Sequence, residues 1–102
     1  MAIINKSIQL PPPVLDNLRS LGRRSAAARK IQSLRQEDLA SMAGISRSTL
    51  VEIEKGSPFV SMGSYMAALW ALGIMSEVLP TGMNEEETRL LSSELPKRVR
   101  HG

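Results

Sequence analysis

From Arg35 to Gly56 the chain reads RQEDLASMAGISRSTLVEIEKG, and no other stretch narrows the possible folds as far. Leu39, Met42 and Ala43 recur at i, i+3 and i+4, and Leu50 and Ile53 repeat that spacing. The pattern predicts two short amphipathic helices, each with one buried stripe. Gly44-Ile45-Ser46 separates them: the glycine can take a positive φ where the first helix ends, the isoleucine turns back to the core, and the serine caps the second helix. Ala40 falls where the helices approach most closely, and its small side chain lets the backbones meet. The expected product is a sharp helix-helix corner.

The positions of the second helix left outside are Ser46, Arg47, Ser48, Thr49, Val51, Glu52 and Lys55. They are mostly short hydrogen-bonding groups with two cations, whereas a merely solvated face more often carries long Glu/Lys pairs. With these offsets, QEDLASMAGISRSTLVEIEKG resembles the helix-turn-helix of the phage-repressor and Cro class, the XRE family, over roughly Leu21 to Leu79. The resemblance implies an all-α, five-helix, lambda-repressor-like domain whose second motif helix enters the DNA major groove. It places Gln36 on a phosphate, helped by the positive end of its helix. Ser46, Thr49 and Lys55 are expected on phosphates too, Arg47 and Ser48 on base edges, and Val51 and Glu52 one turn later. Arg29 and Glu54 match positions that form an ion pair in that family, the alternative being two independent surface charges. The chain departs from the family at Ser25 and Ala28, where larger aliphatics are usual, so Trp70 or Met66 is expected to fill the space. Ser33 stands where a glycine is usual at the helix end.

A chain of 102 residues makes one domain, and one Phe, one Tyr and one Trp leave it an aliphatic core, which favours packed helices. With no cysteine, disulfides and thiolate metal sites are excluded. The single histidine, His101, adjoins the end of the sequence, so no metal or catalytic base built on histidine is expected. No cofactor signature is present. The apolar run from Met66 to Met75 is too short to cross a bilayer and the first residues lack a signal-peptide layout, so a cytoplasmic, nucleoid-associated protein is expected. The net charge is +3. Arg19, Arg23, Arg24, Arg29, Lys30 and Arg35 gather before the motif, Lys97, Arg98 and Arg100 close the chain, and Glu85, Glu86 and Glu87 lie apart. That asymmetry suits a polyanion on one face.

In chain order, residues 1–13 read as an arm in which Ile4, Ile8 and Leu10 share one side. It forms either a short strand paired with a second subunit or another protein, or a frayed end. Pro11-Pro12-Pro13 is expected to be extended. Residues 14–80 are the helix-turn-helix domain. Its first helix is predicted over Val14–Gln32 with Val14, Leu15, Leu18, Leu21, Ala28 and Ile31 as its stripe. A loop at Phe59-Val60-Ser61-Met62-Gly63 is expected to tuck its apolar members under the core. A fourth helix over Ser64–Gly73 starts at a serine cap, and a short fifth covers Ile74–Leu79. That pair is apolar nearly all round, so Trp70, Ile74, Met75 and Val78 are expected at a homodimer interface. Residues 81–102 read as a helix capped by Asn84 with Glu87, carrying Leu90, Leu91 and Leu95, and a basic tail that either reaches phosphates or is solvated.

The expected function is a sequence-specific repressor, a dimer reading a pseudo-palindromic duplex operator. The run SMGSYMAALWALGI, the acidic helix and the ending ELPKRVR are similar to HipB-type antitoxins. That similarity implies repression of the protein's own operon and a HipA-like kinase toxin as partner. The alternatives are a stand-alone phage-type or housekeeping regulator and a protein-interaction module without DNA contact. An enzyme is least expected, because Glu85, Glu86 and Glu87 are consecutive and face different ways on a helix.

Overall fold

The computed structural model describes residues 9–94, so the expectations on Ile4 and Ile8, on Leu95 and on the basic tail lie outside the described residues. Among the described residues six helices follow in order: α1 Pro12–Ile31, α2 Gln36–Ala43, α3 Arg47–Lys55, α4 Met62–Leu72, α5 Met75–Val78 and α6 Glu85–Glu94. α1 packs on α3 and α4, α2 packs on α3 and α4, and α5 closes against α4. Leu39, Leu50, Ile53, Tyr65, Ala68 and Leu72 form the common core, with Leu18, Leu21, Ala28, Ile45 and Val60 packed around it.

The proline run begins α1 instead of standing before it: Pro12 opens the helix and Pro11, at φ −58° and ψ 142°, precedes it. Proline loses nothing there, since a first-turn N–H has no intrahelical acceptor. The helix therefore starts two residues before the expected Val14. Its inner face also differs from the expected stripe. Ile31 is 82% exposed and Val14 is exposed, while Gly22, Ser25 and Arg29 are buried. Close approach explains the exchange, because a Cβ on Gly22 would lie 2.5 Å from the Ile53 carbonyl oxygen and 2.6 Å from that of Glu54. Small residues bring α1 directly onto the backbone of α3, so no bulky filler is required. Ser25 satisfies itself by donating its hydroxyl to the Leu21 carbonyl at 2.9 Å. Trp70 lies outside at 63% exposure and Met66 is only half-buried.

At the end of α1, Ser33 adopts φ 58°, the left-handed conformation that glycine takes more cheaply. Gly44 closes α2 at φ 73° and its N–H returns to the Ser41 carbonyl. Met42, expected in the stripe of α2, is largely exposed, leaving Leu39 and Ala40 as its buried pair. α4 starts two residues before the expected Ser64. Ser61 caps it, accepting the Ser64 N–H at 3.0 Å, and Ser64 serves as the third helical residue. Of the loop before it only Val60 packs inward, whereas Phe59 and Met62 are exposed. In α6, Asn84 Oδ1 accepts the Glu87 N–H at 2.7 Å and the Asn84 N–H returns to Glu87 Oε1 at 3.0 Å, a reciprocal capping box. Leu90 and Leu91 remain exposed on it.

Candidate nucleic-acid interface

The motif helix α3 is fixed at both ends by local chemistry. Ser46 Oγ accepts the Thr49 N–H at 3.0 Å, satisfying one of the first-turn donors that a helix leaves without partners. Its own proton goes to Thr49 Oγ1 at 2.9 Å, which leaves the Thr49 hydroxyl proton to donate outward. Gly56, at φ 78°, ends the helix against α1, where an added Cβ would lie 2.6 Å from Arg19 Cα. Leu50 and Ile53 are buried, and Arg47, Ser48, Glu52 and Lys55 are exposed, with Val51 and Thr49 half-buried. The helix thus presents an outward face that is polar apart from Val51.

A buried polar chain sets the angle of this face. Arg29 of α1 meets Glu54 of α3 through two hydrogen bonds, Nε to Oε2 at 2.7 Å and Nη2 to Oε1 at 3.1 Å. Both side chains are only 10% exposed, and such a fork fixes orientation as well as distance. Arg29 Nη1 also donates to the Leu34 carbonyl in the α1–α2 turn at 2.9 Å. Gln36 Nε2 donates to Glu54 Oε1 at 3.0 Å, and Gln36 Oε1 accepts from Arg47 Nη2 at 3.3 Å. One line of contacts therefore runs from the turn after α1 to the first residue of α3. Gln36 is half-buried and holds Arg47 across the corner, a link that spacing along the sequence does not reveal. Glu37, which the sequence did not single out, reaches Arg47 at 3.8 Å and Arg35 at 3.6 Å.

The first turn of α2 is capped in one direction only. Arg35 has no side-chain acceptor to offer, but Asp38 accepts the Arg35 N–H at 2.8 Å and the Arg35 guanidinium at 3.2 Å. Hydrogen bonding to Arg35 lowers the Asp38 carboxyl below its ordinary value, and the bond from Asp38, with the charges of Asp38 and Glu37, raises Arg35. On the far side of α3, the Tyr65 hydroxyl donates to the Ser57 carbonyl at 2.7 Å. Burial first, and the charge of Glu52 second, raise its pKa.

Of the residues expected to meet phosphates, Gln36 opens α2, Ser46 caps α3, Thr49 stands in its first turn, and Lys55 ends it, 3.6 Å from Glu52. Arg47 and Ser48 begin α3 and Val51 and Glu52 follow one turn on. Trp70, Met75, Ile74 and Val78 are on the opposite part of the chain order, at α4 and α5. Trp70 and Met75 flank a shallow surface hollow of about 270 Å³, while Ile74 leans inward onto the core. Among the described residues no group of three or more His, Cys, Asp or Glu is arranged to hold a metal ion. No helix among them is long and apolar enough to cross a membrane.

Comparison with known proteins places the same stretch in context. The helix-turn-helix family model matches residues 26–58, which runs from the last turns of α1 to the residues just after α3. An uncharacterized HTH-type transcriptional regulator of Sinorhizobium fredii, y4mF, is 37% identical over 54 residues, covering 53% of this chain and 71% of that protein. No solved structure matches the chain significantly.

Proposed function

The chain belongs to the helix-turn-helix family of transcriptional regulators, and on that premise we propose that it is a cytoplasmic repressor that inserts α3 into the major groove of duplex DNA. The observation that carries the reading is the outward polar face of α3, held at a fixed angle by the buried Arg29–Glu54 pair. Arg47 and Ser48 meet base edges first, with Val51 and Glu52 one turn deeper. Arg47 pairs with a guanine through two hydrogen bonds, worth roughly 1–3 kcal/mol of discrimination. Gln36, Ser46, Thr49 and Lys55 hold phosphates, which sets register without reading sequence. To bind, Arg47 exchanges its contacts with Gln36 and Glu37 for the base; both Arg47 and Glu37 are exposed, and the 3.3 Å bond to the half-buried Gln36 is long.

One helix of this length makes too small an interface for tight specific binding, so the protein acts as a symmetric dimer on a pseudo-palindrome with half-sites about 34 Å apart. The exposed Trp70, with Met75 lining the same surface hollow and with the half-buried Ile74 and Val78 of the following turn, is the apolar surface on which two copies meet. A random duplex pool incubated with the full chain is expected to yield a two-fold symmetric sequence bound by two chains. A non-symmetric sequence bound by one chain would refute the dimer, and no enrichment would refute DNA binding.

A second reading concerns α6, whose Leu90 stays 61% exposed. Together with the resemblance to HipB-type antitoxins, it supports an antitoxin role in which α6 meets a HipA-like kinase toxin and the complex represses its own operon. The alternative is a stand-alone regulator. Deleting residues 81–102 is expected to leave operator binding and repression unchanged in a stand-alone regulator, and to abolish capture of a co-expressed kinase, and with it repression by the complex, in an antitoxin.

A further inference from the structure

The chain contains one Phe, one Tyr and one Trp, and only the tyrosine is buried. Phe59 is 62% exposed, although the loop that carries it is held firmly. The Ser57 N–H donates to the Glu52 carbonyl at 3.0 Å, the Ser57 carbonyl accepts the Tyr65 hydroxyl at 2.7 Å, and Ser57 Oγ accepts the Phe59 N–H at 3.1 Å. These bonds fix the backbone around Ser57 and so place the Phe59 main chain, from which the ring lies outward while Val60 packs on the core. It lines a shallow hollow of about 310 Å³ together with Ser48, Thr49 and Glu52 of α3 and Ser61 and Ser64 at the start of α4. The hollow therefore has the reading face of α3 on one side and a single large apolar ring on the other.

Base edges in the major groove are polar with one exception, the C5-methyl group of thymine, and apolar side chains recognise it by contact. We propose that Phe59 is a specificity-determining residue that packs on the methyl group of a thymine in each half-site, next to the base met by Ser48 and Glu52. This inference rests on the DNA-binding reading above and adds a residue outside the motif helix to the reading surface. The backbone that carries the ring is already ordered, so the contact requires no ordering of the loop, and the ring places an apolar group where Ser48 and Glu52 offer only polar ones.

The test uses the full chain as wild type, Phe59→Ala and Phe59→Leu, each selected against a random duplex pool. The wild-type duplex is then resynthesised with deoxyuridine replacing each thymine in turn, which removes only the methyl group. Losing one buried methyl contact corresponds to a weakening of about fourfold per half-site. Wild type is expected to show that loss at one thymine per half-site, Phe59→Leu a smaller one, and Phe59→Ala none at the same position. Equal losses for wild type and Phe59→Ala, or no sensitive thymine, overturn the inference while leaving DNA binding in place. If wild type enriches no sequence, the DNA-binding reading fails and the inference with it. Matching melting curves show that Phe59→Ala keeps the fold; should it not, the deoxyuridine scan of wild type against Phe59→Leu decides the question alone.

Discussion

Replacing Arg29 by methionine removes the cation that satisfies Glu54 while roughly preserving the buried volume. Glu54 accepts three hydrogen bonds in the native fold, two from Arg29 and one from Gln36, so the variant leaves a carboxylate that is 10% exposed with a single donor. The Leu34 carbonyl loses its Arg29 partner as well. Breaking a buried pair from one side costs about 3–5 kcal/mol, because the remaining charge stays desolvated and unpaired. For a domain of this size each kcal/mol lowers Tm by roughly 4–8 °C, so a fall of about 12 °C or more is expected. Urea unfolding followed by circular dichroism measures the cost directly. The double variant Arg29→Met/Glu54→Leu removes both charges and is expected to recover most of the stability, yet to bind DNA worse, since nothing then fixes the angle of α3. A cost below about 1 kcal/mol for Arg29→Met, the behaviour of an exposed pair, would refute the argument that this contact is buried and essential.

Ser33→Gly relieves the positive φ at the end of α1 and is expected to raise stability by about 0.5–1 kcal/mol in urea unfolding; a loss would show that the Ser33 side chain contributes something else. Gly22→Ala forces a methyl group against the Ile53 and Glu54 carbonyls and is expected to cost about 1–3 kcal/mol, with weaker DNA binding because α3 must move. The lowered Asp38 carboxyl contributes stability above its unfolded value, near 3.8, which disappears as pH falls through the still lower folded value. Asp38→Asn is accordingly expected to flatten the acid limb of the stability curve. Tyr65 has the opposite sign: its raised pKa stabilises the fold below about 10.0, and that contribution is lost as pH rises through the folded value, a loss that Tyr65→Phe abolishes. Lys55→Ala is expected to weaken all duplexes alike and to reduce the slope of log K against log salt by about 1, measured by anisotropy titration.

The corner between α2 and α3 was legible in the sequence because its signals are local. Gly44, the Ser46 cap and the apolar offsets at Leu39, Leu50 and Ile53 are each specified by neighbours within a turn or two. The Asn84–Glu87 box was legible for the same reason. What escaped depends on contacts across the fold. Gly22 reads as an indifferent glycine within a helix until α3 is laid against it, although a lone glycine in a helical pattern is itself a hint of close packing. Hydrophobicity alone placed Ile31, Met42, Phe59 and Met62 inside, yet all four are exposed; an apolar side chain can be buried but need not be, and which of them the fold covers depends on contacts that periodicity does not encode. The hold of Gln36 and Glu37 on Arg47 joins residues on different helices, and no periodicity encodes it. At Pro12 and Met62 the helices start two residues before the expected positions because a favourable first turn, and at Ser61 a cap, was available earlier.

The central claim is that the outward face of α3 discriminates between DNA sequences, and it is tested most directly by the ratio of affinities for the enriched duplex and a scrambled one, measured for wild type and Arg47→Ala at the same salt. Wild type is expected to prefer the enriched duplex by about a thousandfold or more, and Arg47→Ala to lose roughly 5- to 150-fold of that ratio. A wild-type ratio near one, or an unchanged ratio in Arg47→Ala, would contradict the account.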